Sequence, residues 1–299
     1  MKKIGWCACP ERAAKRGKSL FKRHLGRMLT HLPRKWTERF FRLRTKTTYL
    51  GRDRVLCRVL GNFKLLGLGN DLMLTPYMIA DGYWEYWLSK HFARVINKGD
   101  TILDIGANLG YYSILAGALT GKHGRVVAVE PNPELSELIH HSTELNGMRG
   151  CVEVCDFAIA APEDSGTRIL FVKEGTKNGC FLEPGQTAED IDLQGASYNV
   201  ELGHFTVDQF ERVDLIKIDV EAAEMMVLEN LRPIIERFRP KIVCEVNFHR
   251  GYDYDDVMAA LGRNGQLKYL DFDGKVKGPL TRELAETIRV GSDWLICAG

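Results

Sequence analysis

The stretch from Thr101 to Ser113, T-I-L-D-I-G-A-N-L-G-Y-Y-S, constrains the fold of this 299-residue chain more than any other. Its apolar start predicts a short buried strand, Thr101 to Ile105, that breaks at Gly106 into a tight turn. The turn runs through Ala107, Asn108, Leu109 and Gly110 into a helix beginning near Tyr111. Glycines in such a turn supply backbone angles closed to other residues and let a ligand lie against the main chain. Asp104 falls at the carboxyl end of the strand, where open α/β sheets place their ligand crevice. A carboxylate at that place suits a cationic ligand group better than a pyrophosphate. The amino group and sulfonium of S-adenosylmethionine meet that demand.

A lone Gly-x-Asn-x-Gly turn carries little by itself. Three downstream features raise its meaning. R-V-V-A-V-E, Arg125 to Glu130, is a second apolar strand ending in an acid, placed to take both ribose hydroxyls in a bidentate contact. V-E-V-C-D-F-A, Val152 to Ala158, is a third strand ending at Asp156, placed to approach an adenine amino group. V-D-L-I-K-I-D-V-E, Val213 to Glu221, delivers Asp219 and Glu221 to the same rim. A nicotinamide dehydrogenase would need Gly-x-Gly-x-x-Gly, and Asn108 stands in place of its second glycine.

L-D-I-G-A-N-L-G-Y-Y-S, V-E-P-N-P-E, E-L-N-G, V-E-V and D-L-I-K-I-D-V-E-A-A-E together resemble the FkbM-type S-adenosylmethionine-dependent methyltransferases. The resemblance runs from about Gly82 to Asn247. It implies an α/β fold, the doubly wound, Rossmann-like class I methyltransferase sheet of seven strands with an antiparallel last strand. It implies S-adenosyl-L-methionine held by Glu85, Asp104, Gly106, Ala107, Asn108, Gly110, Tyr111, Glu130, Pro131, Asn132, Asp156, Phe157 and Asp219, with Glu85 near the methionine end. It implies O-methylation of a sugar, glycan or related natural-product hydroxyl. The family pattern reads D-V-E-G-A-E, and Ala222 replaces its glycine here. That replacement keeps a second reading open: a weakly active or inactive scaffold that uses its basic N-terminal segment to bind a membrane or polyanion.

The net charge of +2 hides a lopsided distribution. Residues 1–60 hold 18 Lys and Arg against 3 Asp and Glu, while the remaining residues hold 23 against 36. Phe21, Leu25, Met28, Leu29, Leu32, Trp36 and Phe40 recur near the helical period in this basic head, with Pro33 breaking the run. Residues 12–46 read either as a surface helix that meets an anionic membrane or polyanion, or as a cap helix whose charges are solvated. No recognisable nucleic-acid-binding module accompanies the charge, so nucleic acid is not the expected partner. No apolar run is long enough to span a membrane, and the start is too short in apolar residues for a signal peptide. A cytoplasmic protein, in the first reading peripheral at the membrane, is expected. The eight cysteines contain no Cys-x-x-Cys pair, and Cys151, Cys155, Cys244 and Cys297 in or beside predicted strands read as buried free thiols.

The chain divides into a basic, partly helical segment (1–48), hairpin and cap elements (49–97) and a cofactor-binding domain (98–299). Arg54 to Leu68 predicts two strands about Gly61-Asn62, and Pro133 to Leu145 a helix closed by Asn146-Gly147. Arg168 to Lys173 reads as an extra strand, and Glu174 to Val200 as a lid or substrate loop without clear period. Helices are expected at Glu224 to Phe238, restarted by Pro233, and at Tyr254 to Leu261 and Thr281 to Ile288. Strands are expected at Lys241 to Asn247, Leu267 to Phe272 and Asp293 to Ala298.

Methyl transfer from a sulfonium is an in-line displacement that depends heavily on positioning, and a hydroxyl acceptor gains from a base or metal that removes its proton. Asp219, Glu221, Glu245 and His249 are the catalytic candidates by position. His249 has the side-chain type that titrates near neutrality. Asp219 and Glu245, ending adjacent strands, could share a divalent cation, or simply hold strand ends by hydrogen bonds.

Overall fold

The structure is a computed structural model that describes residues 17–161, 163–176, 179–181, 194–221, 223–248, 251–261, 267–287 and 294–297. Two helices open it, α1 (Gly17–His31) and α2 (Arg34–Arg44), separated at Pro33 as its fixed φ and missing N–H require. Strands β1 (Thr47–Gly51), β2 (Arg54–Val59) and β3 (Phe63–Leu68) form an antiparallel sheet in that order. Helices α3 (Thr75–Ala80) and α4 (Tyr86–Val95) then lead to β4 (Thr101–Ile105).

From β4 the chain alternates: α5 (Tyr111–Thr120), β5 (Arg125–Val129), α6 (Pro133–Leu145) and β6 (Val152–Cys155). An excursion follows through β7 (Phe157–Ile159), β8 (Thr167–Lys173), β9 (Gly179–Phe181) and β10 (Gly195–Gly203). The alternation resumes with β11 (Leu215–Ile218), α7 (Glu224–Asn230), α8 (Arg232–Phe238), β12 (Lys241–Glu245) and α9 (Tyr254–Leu261). It closes with β13 (Lys268–Leu270), β14 (Val276–Lys277), α10 (Arg282–Thr287) and β15 (Trp294–Cys297).

The main sheet has the order β14-β13-β15-β12-β11-β4-β5-β6. β6, β5, β4, β11 and β12 run parallel, and β15 inserts antiparallel between β12 and β13. This is the doubly wound class I methyltransferase arrangement, widened by one edge strand, β14. Both faces are covered, which is why β4 is buried at every residue. Successive residues serve opposite cores: Ile102, Val126, Leu215 and Val243 pack with α1, α4 and α5, whereas Leu103, Val127, Ile216 and Ile242 pack with α7, α8 and α9. The strand order reverses direction beside β4, and the carboxyl ends of β4 and β11 flank the resulting crevice.

One expectation needs correction, and another holds but is extended. Glu174 to Val200 is not wholly without regular structure: β10 begins at Gly195 and pairs antiparallel with β8 and parallel with β7 in a separate sheet ordered β7-β10-β8-β9. Only Val200 of β10 is buried, so its sequence lacks the apolar alternation that would announce a strand. The hairpin at Arg54 to Leu68 carries a third strand, β1, whose first four residues are exposed and equally silent. Cys57, Cys155 and Cys244 are buried free thiols, Cys151 is a half-buried one, and residues 182–193 lie outside the described residues.

Candidate functional site

The turn after β4 is built from left-handed backbone: Gly106 has φ 74°, Asn108 52° and Gly110 82°. Glycine and asparagine are the residue types that adopt this region most readily. A Cβ on Gly106 would lie 1.8 Å from the Asp219 carbonyl oxygen, and one on Gly110 would lie 3.0 Å from Ile139. These glycines are therefore required by close packing against β11 and α6, and not only by ligand approach. Gly106 and Ala107 both donate backbone N–H bonds to the Val129 carbonyl, which ties the turn to the end of β5.

Glu130 completes that tie. Its Oε2 accepts from the Asn108 backbone N–H at 2.8 Å and its Oε1 from the Asn132 N–H at 2.9 Å. Burial pushes its carboxyl up to about 7 against these two bonds. Asn132 caps α6 by accepting from Glu134 N–H, leaving its own buried amide nitrogen without a partner. Pro131 beside it is half-buried.

Asp104 is fully enclosed. Its Oδ2 accepts from the Ser113 hydroxyl at 2.5 Å, and its Oδ1 has no hydrogen-bond partner. Lys217, in the middle of β11, places its ammonium 3.4 Å from Asp104 Oδ1 and 3.3 Å from Asp219 Oδ2, and donates to the Gly106 carbonyl at 2.6 Å. Burial opposes the charge on Lys217, but the Asp219 and Asp104 carboxylates outweigh it and hold the ammonium above the ordinary lysine range. Burial pushes Asp104 up, against Lys217 and Ser113.

Glu85 enters from the turn before α4. Its Oε2 accepts from the Tyr112 hydroxyl at 2.6 Å and its Oε1 from the Trp294 indole N–H at 2.8 Å. Burial raises its carboxyl to about 7, with these two bonds pulling the other way. The Tyr112 ring also stands 5.7 Å from the Lys217 ammonium, so Glu85, Lys217 and the strand ends form one continuous polar wall. Tyr111 points elsewhere: it is buried, with its hydroxyl 3.0 Å from Ser89 Oγ.

Asp219, Glu221 and Glu245 come together, each half-buried, with one carboxylate oxygen of each within 4.8 Å of the others. Glu85, Asn108 and Glu221 are all non-glycine residues with positive φ. Such strain persists only where the surroundings hold it in place, and it clusters at functional sites. Asp156 is exposed just past β6, and Phe157 packs against Phe205 with ring centroids 5.4 Å apart. His249 and Ala222 lie outside the described residues.

Sequence reasoning missed Lys217, Tyr112, Ser113 and Trp294. The lysine carried a signal: a charged residue inside the apolar run L-I-K-I needs buried partners. Trp294 carried none, because 209 residues separate it from Glu85.

Comparison with known proteins places the chain in context. Protein-L-isoaspartate O-methyltransferase of Aeropyrum pernix is 48% identical over 56 residues, which is 19% of this chain and 22% of that protein. Protein-L-isoaspartate O-methyltransferase 1 of Archaeoglobus fulgidus is 32% identical over 86 residues, 27% and 39% of the two chains. The chain thus matches well under half the length of these curated relatives. Among solved structures, an FkbM methyltransferase from Methylobacillus flagellatus aligns with TM-score 0.39 and 14% identity over 74% of this chain and 51% of that one. An S-adenosylmethionine-dependent O-methyltransferase from Thermotoga maritima aligns with TM-score 0.36 and 12% identity over 71% and 62%. At these scores the fold assignment rests on this chain's own strand order. The Methyltransferase FkbM domain matches residues 104–269, more than half of the chain and all of the strand-end carboxylates described above. The chain belongs to the FkbM methyltransferase family.

Proposed function

We propose that the protein transfers the methyl group of S-adenosylmethionine to a hydroxyl oxygen of a sugar, glycan or related natural-product acceptor. The observation that carries this reading is the acidic, strand-end crevice with one buried lysine inside a family-matched fold. The residues present fit the cofactor: Asn132 keeps a buried amide nitrogen without a hydrogen bond among the described residues, and the strand-end carboxylates complement a cationic sulfonium and ammonium, with Asp104 Oδ1 facing the Lys217 ammonium at 3.4 Å. Asp104, Glu130, Asp156, Asp219 and Glu85 are the residues that would hold it, with the 106–110 turn beneath.

When bound, the cofactor supplies an electrophilic methyl whose bonding electrons leave with sulfur. The chain's own part is to align the acceptor and to take its proton. As the acceptor oxygen bonds to the methyl carbon, its proton passes to a carboxylate of the Asp219, Glu221 and Glu245 group, or to His249, and then to water. The same three carboxylates could instead hold a divalent cation that acidifies the hydroxyl. Tyr77 supports a sugar-like acceptor. Its half-exposed ring stands edge-to-face with Trp84 at 4.8 Å, and in this reading the Tyr77–Trp84 pair, next to Glu85 in the sequence, supplies the aromatic contact to the acceptor.

The test is transfer of labelled methyl from S-adenosylmethionine to panels of glycan hydroxyls, with an isoaspartyl peptide as a carboxylate acceptor in parallel. Transfer to hydroxyls alone is expected. Transfer to the peptide alone would overturn the acceptor assignment. Cofactor binding without transfer to any acceptor would favour the scaffold reading.

A further inference from the structure

We propose that the outer face of the α1–α2 hairpin docks on an anionic lipid bilayer. The inner face of this hairpin is committed to the body of the protein: Leu25, Leu29, Thr37 and Phe41 are fully buried, and α1 packs on α4 and α5. Among the described residues, nothing covers the outer face of α2 at Trp36 and Leu43. Trp36 and Leu43 are 67% and 73% exposed and stand seven residues apart, about two turns, on one side of α2, and Leu32, 44% exposed, lies in the turn between the two helices. An exposed tryptophan and leucine on one helix face, with a further leucine at the adjoining turn, form an apolar patch of the kind that marks a contact surface.

The surrounding charge says what that cover is. Arg27, Lys35, Arg39 and Lys46 are exposed on the same two helices and the residues just after them. Glu38 is the one acid in residues 24–50, and Arg34 neutralises it in an ion pair at 2.8 Å. Arg34, Arg42 and Arg44 do not belong to the outer set, since each bonds to the body: Arg34 to the Phe272 carbonyl, Arg42 to Asp81 and Arg44 to the Gly61 carbonyl. Among the described residues, Arg27, Lys35, Arg39 and Lys46 make no ion pair, and they lie near the apolar stripe of Trp36 and Leu43. Apolar side chains flanked by Lys and Arg are the pattern of a helix lying in a bilayer interface: the ring and leucines enter the acyl boundary and the cations meet anionic headgroups. A purely electrostatic polyanion site would not need the stripe.

The test is co-sedimentation of the full chain with vesicles of phosphatidylcholine alone and of phosphatidylcholine mixed with phosphatidylserine, at low and high salt. Two variants accompany it: Trp36→Ser with Leu43→Ser, and Lys35→Glu with Arg39→Glu. All four side chains are exposed, and circular dichroism checks that each variant folds. Binding to the anionic vesicles is expected, weakened by salt, and reduced roughly 10-fold or more by either pair of changes. Absence of vesicle binding would overturn the proposal. So would binding that the charge pair abolishes and the apolar pair leaves intact, since that describes a polyanion site. Capture of RNA at the same salt with no affinity for vesicles would overturn it as well.

Discussion

The ammonium of Lys217 donates to the Gly106 carbonyl at 2.6 Å, so a side chain from one parallel strand fixes the turn that follows its neighbour. The same nitrogen sits between Asp104 and Asp219. A buried ion pair broken on one side leaves uncompensated charge behind. Lys217→Met should therefore destabilise the protein by about 3–5 kcal/mol in chemical denaturation. A change below about 1 kcal/mol would show that the lysine does not hold the two carboxylates together.

Gly106→Ala combines a left-handed φ of 74° with a Cβ 1.8 Å from the Asp219 carbonyl oxygen, which is backbone and cannot turn aside. The strain alone is on the order of 1–3 kcal/mol. The expected result is a lowered melting temperature together with loss of cofactor affinity, because the turn and β11 must move apart.

Glu85 gives a pH signature. Its carboxyl rises from 4.5 to about 7 on folding, so between those values the unfolded chain ionises while the folded one stays protonated. Stability is thus lost as pH rises through this window and is constant above it. Glu85→Gln keeps the geometry, since its amide oxygen can accept from Trp294 and its nitrogen can donate to the Tyr112 hydroxyl. Relative to this variant, the ligand-free wild type should lose up to about 3 kcal/mol between pH 4.5 and 8. Parallel pH profiles for the two proteins would contradict the burial of an ionisable Glu85.

Tyr77→Ala should raise the KM for the acceptor several-fold and leave cofactor affinity unchanged, which steady-state kinetics with a responsive glycan would read. An unchanged KM would remove the aromatic surface from the acceptor site.

How far the sequence alone carries is visible in particular residues. β4, its turn and the carboxylates at four strand ends were legible because parallel strands buried on both faces are continuous apolar runs that stop at polar residues. Helix α6 was legible to its ends, Pro133 and Leu145, through the Asn146-Gly147 pair after its last turn, whereas the Asn132 N-cap emerged only with the structure. β1 and β10 were not, because strands with exposed residues show no alternation. The bidentate ribose role expected of Glu130 gains a competitor that only coordinates reveal: both its oxygens already accept backbone N–H bonds. The pairing of Glu85 with Trp294 depends on β15 inserting beside β12, a topological fact no local pattern encodes.

The most direct test of the central claim is calorimetric titration of the purified protein with S-adenosylmethionine, and in parallel with NAD, for wild type and Glu130→Ala. The predicted result is micromolar binding of S-adenosylmethionine alone, weakened on the order of 10-fold or more in the variant. Binding of NAD, binding of neither ligand, or equal affinity in the two proteins would contradict a cofactor site at the ends of β4 and β5.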